Sequence, residues 1–389
     1  MLSQAVIREV AGEHGFSHVG AMDLASFERE MHPHLGYLSS WQAKGFAGQM
    51  SYMNRPVELF GNLAQFLPAV RSIISFAVPY LKGAILTVPP GFGKVARYAW
   101  GRDYHEVIRE RLQRCAERFE AICPGLRWRV FTDAVPLLER AIGSAARLGF
   151  VGKNSLLIRP GLGSYFFLGE LLLSEEVEPF QPEQQSRGVS GRLAQIENDS
   201  LPGTGCHVCT RCLTSCPTDA IPQAGIIDAP RCISYLTIEK RGEFSEWERC
   251  AVGDWIFGCD VCQEVCPFNA NCDADILAEF DAANGVGPFL SLEKVLAITS
   301  KGEFDFIFQG TALRRAKREG LVRNACAVAA NTRCFELVKA LSRLIKDVSL
   351  VVRSSAYGAL CDLRVESDGL DRVRIDAALR SFEPSLEPK

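Results

Sequence analysis

The distribution of hydrophobic and polar residues over the first 173 positions predicts mixed α and β structure. Residues 72–78 (SIISFAV) form a continuous apolar, partly β-branched run that ends before a proline, which is typical of a buried strand. Between residues 103 and 119, apolar side chains recur every three to four positions, so a helix is expected there. Residues 128–132 predict a short strand that delivers Asp133 at its end, and residues 135–148 resume the helical pattern.

The pattern changes again after residue 173. Residues 174–204 carry six acidic residues against two arginines with little periodicity, which predicts a linker or surface insertion. Residues 205–285 are rich in cysteine, and residues 286–389 return to a helical pattern. The segments 321–325 (LVRNA) and 351–355 (VVRSS) indicate two stacked helical repeats, and an ordinary helical subdomain fits two copies nearly as well. We therefore expect four consecutive segments: 1–173, 174–204, 205–285 and 286–389.

Composition and charge are those of an ordinary globular protein. The 389 residues are 47% hydrophobic and 23% charged, with a net charge of -3, so binding to nucleic acid through overall charge is not expected. The first residues do not resemble a signal peptide, and no apolar run reaches the roughly 18 residues that span a bilayer. A cytoplasmic protein without membrane contact is expected, and a monomer, since no interface pattern stands out.

Nine of the fifteen cysteines lie between Cys206 and Cys266. The run Cys206-x2-Cys209-x2-Cys212-x3-Cys216-Pro217 has the bacterial ferredoxin spacing, in which the fourth cysteine binds the other cluster. A second run follows as Cys259-x2-Cys262-x3-Cys266-Pro267, with Cys232 between the two runs. Exchange of the fourth ligands gives one 4Fe–4S cluster on Cys206, Cys209, Cys212 and Cys266, and another on Cys216, Cys232, Cys259 and Cys262. Two structural zinc sites are the alternative, which runs ending in Cys-Pro fit poorly.

Clusters of this kind transfer single electrons, so a redox partner should lie nearby. The chain has no C-x3-C-x2-C motif for radical S-adenosylmethionine chemistry and no G-x-G-x-x-G loop after a strand. It also lacks a D-x-H-x-x-G motif that would supply a histidine ligand to cobalamin. The residues alone therefore predict an iron–sulfur redox protein with an α/β partner domain.

Seven motifs in order along the chain resemble the epoxyqueuosine reductase family. They are 96–105 (ARYAWGRDYH), 130–140 (VFTDAVPLLER), 149–158 (GFVGKNSLLI), 163–170 (GSYFFLGE), the first cysteine run, 231–239 (RCISYLTIE) and 258–267 (GCDVCQEVCP). The resemblance implies an α+β protein with a flavin-reductase/nitroreductase-like α/β domain for base-off cobalamin, a ferredoxin-like double 4Fe–4S domain and C-terminal HEAT-like helical repeats. It also implies that the two clusters reduce cobalamin, and that the reduced cobalamin converts epoxyqueuosine in tRNA to queuosine.

The resemblance places the proton donor of this reaction, beside the cobalamin, on Asp133. The epoxide oxygen must be protonated as its C–O bond breaks, and a free aspartate has a pKa of about 3.9. Donation near neutral pH therefore requires that burial or the apolar face of the corrin raises the pKa of Asp133. The alternative role of this residue is the N-cap of a helix that starts at Val135. The other cobalamin contacts are expected at Lys153, Leu157, Leu168, Ser234, Cys259 and Asp260. Core packing is the alternative for the two leucines, and a backbone hydrogen bond is the alternative for Asp260.

Contact with RNA must be local because the whole chain is slightly acidic. Lys240 lies where the family is expected to contact the anticodon stem-loop. A second predicted RNA contact is the basic cluster of Arg314, Arg315, Lys317 and Arg318, for which a solvated helix face is the alternative interpretation. The implied partners are a tRNA with epoxyqueuosine at the wobble position and an electron donor such as a flavodoxin or ferredoxin. A corrinoid reductive dehalogenase-like enzyme and a non-catalytic iron–sulfur electron carrier remain alternative functions.

Overall fold

The computed structural model describes residues 1–80, 87–133, 135–178, 180, 204–270, 272 and 275–382. The α-helices in these ranges are α1 (Gln4–Glu13), α2 (Leu24–Ala43), α3 (Tyr104–Ile122), α4 (Glu139–Ala145), α5 (Arg211–Thr214), α6 (Ile233–Ile238), α7 (Glu246–Ala251), α8 (Val261–Glu264), α9 (Leu292–Leu296), α10 (Lys301–Ile307), α11 (Lys317–Asn331), α12 (Val338–Leu344), α13 (Leu350–Glu366) and α14 (Gly369–Arg380). The strands are β1 (His18–Asp23), β2 (Ser72–Pro79), β3 (Phe92–Val95), β4 (Trp128–Phe131), β5 (Phe150–Val151), β6 (Leu157–Ile158), β7 (Phe166–Leu173), β8 (Trp255–Phe257) and β9 (Phe289–Ser291). Within the described ranges, no helix is both long enough and apolar enough to cross a membrane.

The described residues form two compact units, each assembled from separate stretches of sequence. Unit 1 takes its residues from 1–83, 103–229 and 261–280, and unit 2 from 84–102, 230–260 and 281–389. The predicted consecutive segments are therefore not the observed compact units. The cysteine-rich segment is divided between the two, and β3 belongs to unit 2 because it pairs with β8 and β9. Most of the predicted linker, residues 179 and 181–203, lies outside the described residues.

Unit 1 is built on a four-stranded antiparallel sheet in the order β1-β2-β7-β4. Helices α2 and α4 cover one face, where Ile142 and Leu172 belong to the same buried cluster. Helices α1 and α3 lie on the other face, and Gly169 allows α3 to approach β7 closely, since a Cβ there would lie 2.8 Å from Ile108 and Leu112. The predictions of the strand at 72–78 and the helix at 103–119 are confirmed. The Asp103 carboxylate caps α3 by accepting the His105 N–H at 3.0 Å.

The prediction of a helix from residue 135 is wrong at its start. Helix α4 begins at Glu139, with Leu138 as its N-cap residue. The apolar pattern of VPLL is compatible with a helix, but the residue before Pro136 is disfavoured in the α conformation. Asp133 is therefore not a helix cap, and it lies in the connection between β4 and α4.

Unit 2 combines a three-stranded sheet, β8-β3-β9, with the C-terminal helices. The two similar segments at 321–325 and 351–355 lie on α11 and α13, which pack against each other, so the prediction that both are helical is confirmed. Arg323 on α11 is 1% exposed and donates hydrogen bonds to the carbonyl groups of Leu236, Lys240 and Gly242. Its neighbour Asn324 donates to the carbonyl groups of Thr237 and Ile256. These bonds attach α11 to α6, which follows Cys232, and to β8, which precedes Cys259.

Candidate active site and cluster loop

Asp133 is held in a backbone conformation that residues other than glycine rarely adopt. Its φ is 45°, in the left-handed region, where aspartate is tolerated better than most residues. The Asp133 side chain is 66% exposed. An exposed carboxylate on a strained backbone position after a strand is typical of a functional residue.

The first turn of α3 provides the partners of the Asp133 carboxylate. The Tyr104 hydroxyl donates to Asp133 Oδ2 at 2.7 Å, and His105 Nε2 lies 3.7 Å from the same oxygen. The other nitrogen of His105, Nδ1, lies 2.7 Å from Asp103 Oδ1. The Tyr104 ring stacks on Phe167 of β7 with 4.4 Å between the ring centroids. The sheet therefore fixes the direction of the hydroxyl that binds Asp133.

The electrostatics of these groups favour an imidazolium beside a carboxylate. Burial opposes the charged form of His105, but the hydrogen bond to Asp103 and the negative charges of Asp103 and Asp133 raise the pKa of His105 to about 9. Desolvation would raise the pKa of Asp133, but its side chain is 66% exposed, and the nearby His105 cation and the hydrogen bond from the Tyr104 hydroxyl favour the ionised form. The pKa of Asp133 is therefore lowered, so burial by the protein alone does not raise it, and an effect of the corrin face stays a prediction.

Two further carboxyl groups lie behind Asp133. Glu139 Oε1 accepts the Asp133 backbone N–H at 2.6 Å, and Glu170 is fully buried on β7, where its Oε1 accepts the Ser75 hydroxyl at 3.2 Å. Sequence reasoning missed both residues. The available signal was an acidic residue within the otherwise apolar strand FFLGELLL.

The four cysteines assigned to the first cluster meet in unit 1. Cys206, Cys209, Cys212 and Cys266 line a cavity of about 40 Å³, with Ile158 and Phe268 on its apolar side. No three of the described His, Cys, Asp or Glu side chains converge on a position for a single metal ion. Burial, followed by the neighbouring thiols, raises the pKa of Cys212 to about 11. Four thiols around one apolar cavity fit the four-cysteine ligation of a 4Fe–4S cluster.

Lys153 contacts the loop that carries Cys206, Cys209 and Cys212, which we call the cluster loop. Its backbone N–H points at Cys206 Sγ at 3.5 Å, and its ammonium group donates to the carbonyl oxygens of His207 and Cys209 at 2.6 and 2.9 Å. An N–H group and a cation near cluster thiolates stabilise their negative charge. Lys153 was expected at the cobalamin, and the contacts in the structure are those with the cluster loop.

The four cysteines predicted to bind the second cluster are divided equally between the two units. Cys216 Sγ accepts the Ala220 N–H at 3.3 Å, and Cys262 is on α8; both are in unit 1. In unit 2, Cys232 is the N-cap residue of α6, and Cys259 follows β8 after Gly258, whose N–H donates to Thr237 Oγ1. The assignment of these four thiols to one cluster stays a prediction.

The other residues expected at the cobalamin have different environments. Leu157 on β6 is 3% exposed within the core, and Leu168 on β7 and Ser234 on α6 are half-buried. Asp260 is 2% exposed and accepts both the Arg97 backbone N–H at 2.8 Å and the Arg97 guanidinium at 3.2 Å. In the structure, Leu157 therefore packs in the core and Asp260 accepts a backbone hydrogen bond, which are the alternatives named for these two residues.

The predicted RNA contacts need one correction. Arg318 is 6% exposed, and its guanidinium bonds the Asp347 carboxylate and the Ile298 carbonyl, so it is not a solvated basic residue. Arg314, Arg315 and Lys317 are exposed, and Arg315 forms an ion pair with Glu239 at 2.8 Å. The Lys240 ammonium lies 2.8 Å from Glu248. The basic cluster is thus reduced to three exposed residues.

Two family models match this chain, and together with the cavity of four thiols they define an iron–sulfur oxidoreductase. The model for epoxyqueuosine reductase QueG matches residues 61–134. The model for a 4Fe–4S double cluster binding domain matches residues 205–269.

Relatives along most of the chain give the family. The epoxyqueuosine reductase of Pseudomonas aeruginosa is 37% identical over 329 residues, which is 82% of each chain. That of Escherichia coli is 34% identical over 330 residues, which is 84% of this chain and 80% of the relative. The chain belongs to the epoxyqueuosine reductase family.

Solved structures of the family have the same overall fold. The crystal structure of an epoxyqueuosine reductase with an epoxyqueuosine-modified stem loop of tRNA-Tyr matches with a TM-score of 0.80 and 26% identity, over 97% of this chain and 98% of the other. The epoxyqueuosine reductase from Bacillus subtilis matches with a TM-score of 0.79 and 25% identity, over 98% and 99% of the two chains. In that structure a catalytic loop that carries an aspartate is swung out of the active site.

The cluster loop gives a direct test. Replacing Cys212 by Ala removes one thiolate from the four-cysteine cavity, so anaerobically reconstituted protein should lose about half of its iron and sulfide. Cys250→Ala is the control, because this cysteine is exposed and outside both runs, and it should keep the full content. Iron and sulfide are measured chemically, together with the absorption spectrum. Full iron content in Cys212→Ala would contradict the assignment.

Proposed function

We propose that this protein reduces the epoxide of epoxyqueuosine in tRNA to queuosine, with Asp133 as the proton donor. The observation that carries the proposal is the Asp133 carboxyl group itself. It is exposed on a left-handed backbone position and bound at one oxygen by the Tyr104 hydroxyl, with the His105 imidazolium 3.7 Å from that oxygen. Membership in the family and the relative with an epoxyqueuosine-modified stem loop support the choice of substrate.

Removal of the epoxide oxygen as water takes two electrons and two protons. The C–O bond breaks readily only if the oxygen is protonated in the same step, which requires a general acid. Asp133 is ionised at neutral pH in this structure, so it must take up a proton first. His105 lies 3.7 Å from Asp133 Oδ2 and, with its raised pKa, is a protonated imidazolium that can supply this proton. Substrate binding that excludes water from the carboxyl group raises the pKa of Asp133 and favours this transfer.

Cobalamin, when bound, supplies a low-potential cobalt centre for the reduction, and the 4Fe–4S clusters supply its electrons. We propose that Lys153, Leu157, Leu168, Ser234, Cys259 and Asp260 hold it, with Asp133 beside it. Leu168 is half-buried and packs against the cluster that contains Leu157, so part of its side chain is available to a cofactor. The side chains of Lys153, Leu157 and Asp260 already have partners or are buried in the protein, so their part of this proposal rests on the family resemblance.

The remaining parts of the proposal concern partners. Arg314, Arg315, Lys317 and Lys240 are proposed to bind the phosphates of the tRNA, because they are basic and Arg314, Arg315 and Lys317 are exposed. A flavodoxin or ferredoxin is proposed to supply electrons to a monomeric enzyme in the cytoplasm, where the tRNA is found.

Asp133→Asn tests the proton donor. The amide keeps the size of the side chain but cannot donate a proton to the epoxide oxygen, so turnover should fall by at least roughly a hundredfold. Cobalamin and iron contents should be unchanged. Turnover is measured as queuosine in digested tRNA by liquid chromatography and mass spectrometry, with Asp368→Asn, an exposed aspartate before α14, as the control. Near-normal turnover of Asp133→Asn would refute its role.

The basic cluster gives a second test. Replacing Arg314, Arg315 and Lys317 by Gln should weaken tRNA binding and lower the slope of log Kd against log salt by about 2 to 3. The matched control replaces Lys339, Arg343 and Lys346, which are exposed on or just after α12. Binding is measured by fluorescence anisotropy at several salt concentrations. Equal losses in the two triple variants would show that the cluster has no special role.

A further inference from the structure

A line of hydrogen bonds runs from the core of the sheet to the backbone of Asp133. Ser75 on β2 donates its hydroxyl proton to Glu170 Oε1 on β7. The carboxyl groups of Glu170 and Glu139 lie within hydrogen-bonding reach of each other. Glu139, in the first turn of α4, accepts the Asp133 N–H at 2.6 Å. The proposed reaction uses neither glutamate.

The burial of Glu170 requires a proton on this pair. Glu170 is fully buried, and no N–H or O–H of the described residues donates to its Oε2. An ionised carboxylate in that position would have one oxygen without a donor and a second carboxylate beside it, which is costly away from water. A proton shared by Glu170 and Glu139 lowers this cost, because it neutralises one carboxylate and supplies a hydrogen bond between the two groups.

The groups that face the pair agree with this assignment. Burial and the charge of Asp133 raise the pKa of Glu139 to about 7. Burial and the charge of Glu139 raise the pKa of Glu170 well above its ordinary value. Three groups oppose this by favouring ionisation. The Asp133 N–H donates to Glu139, and the Ser75 hydroxyl donates to Glu170. The positive charge of Arg140 also favours ionised Glu139, and its guanidinium binds the Ser155 carbonyl. At neutral pH the pair therefore holds at least one proton.

We propose that Glu139 and Glu170 share a proton and act as positioning residues that hold the catalytic Asp133 in place. Glu170 orients the Glu139 carboxyl group, and Glu139 binds the backbone N–H of Asp133. A bond to that N–H stabilises the left-handed conformation, φ 45°, which the residue would otherwise leave at little cost. The Bacillus subtilis relative, with its catalytic loop swung out, shows that the loop of that protein has a second position. The inference rests on the proposed function only for its effect on turnover.

Hydrogen–deuterium exchange of the whole protein tests, without any substrate, whether Glu139 holds the Asp133 N–H. Glu139→Gln keeps an oxygen that accepts the Asp133 N–H, whereas Glu139→Leu removes it. The peptide covering residues 131–138 should exchange at the wild-type rate in Glu139→Gln and roughly tenfold faster or more in Glu139→Leu. Wild-type protection in Glu139→Leu would overturn the proposal.

The shared proton has its own measurements. The infrared carbonyl band of a protonated carboxyl group should be present in the wild type at about pH 8 and lost in Glu170→Gln. Folded Glu170 keeps a proton that the unfolded chain loses above about pH 4.3, so this group lowers stability as the pH rises. The melting temperature of Glu170→Gln relative to wild type should therefore rise between about pH 5 and about pH 8. A constant difference, or an unchanged infrared band, would contradict the shared proton.

Turnover separates positioning from a purely structural role. Glu139→Leu should lower kcat by roughly tenfold to a hundredfold, with unchanged KM for tRNA and unchanged iron and cobalamin contents, and Glu139→Gln should recover most of the loss. Wild-type kcat in Glu139→Leu would overturn the proposal. If the wild type itself formed no queuosine, the proposed function would fail, and the exchange and infrared results would still decide whether the pair holds the loop.

Discussion

The account depends on the hydrogen bonds that fix one carboxyl group, that of Asp133. Its side chain is held from α3 by Tyr104, and its backbone is held from α4 by Glu139. Both helices pack on the same antiparallel sheet, on opposite faces, so the core of unit 1 sets the geometry of the loop. A flexible loop could not present a proton donor reproducibly, because small displacements at a reacting group are costly for the rate.

The cluster loop is likewise held by contacts with other parts of unit 1. Cys266 joins the first cysteine run from 50 or more residues further along the chain, and Lys153 ties that run to the segment between β5 and β6. In unit 2, Arg323 and Asn324 satisfy backbone carbonyl groups of the segments that carry Cys232 and Cys259. Polar groups buried in α11 therefore serve the placement of cysteine-bearing segments, which explains their position in an otherwise apolar helix.

Features that depend on local sequence pattern could be predicted from the sequence. The environment of a side chain could not be predicted where its partners are distant in the sequence. The apolar run of β2 and the periodicity of α3 are local, and both elements were predicted correctly. The local spacing of the cysteine runs indicated 4Fe–4S binding, in agreement with the family model that matches residues 205–269. Arg318 was predicted to be an RNA contact, because its buried partner, Asp347, lies 29 residues away in the sequence. Glu170 was missed because Ser75, its hydroxyl donor, is 95 residues away. The pKa of Asp133 was expected to rise, since the donors on α3 were not visible from its own motif.

The most direct measurement is queuosine formation by the anaerobically reconstituted protein, given a reductant and tRNA that carries epoxyqueuosine, with and without cobalamin. The account predicts that the nucleoside appears only when cobalamin is supplied to protein with its full iron content. Protein that holds its full complement of iron and corrinoid and still leaves the epoxide intact would contradict it.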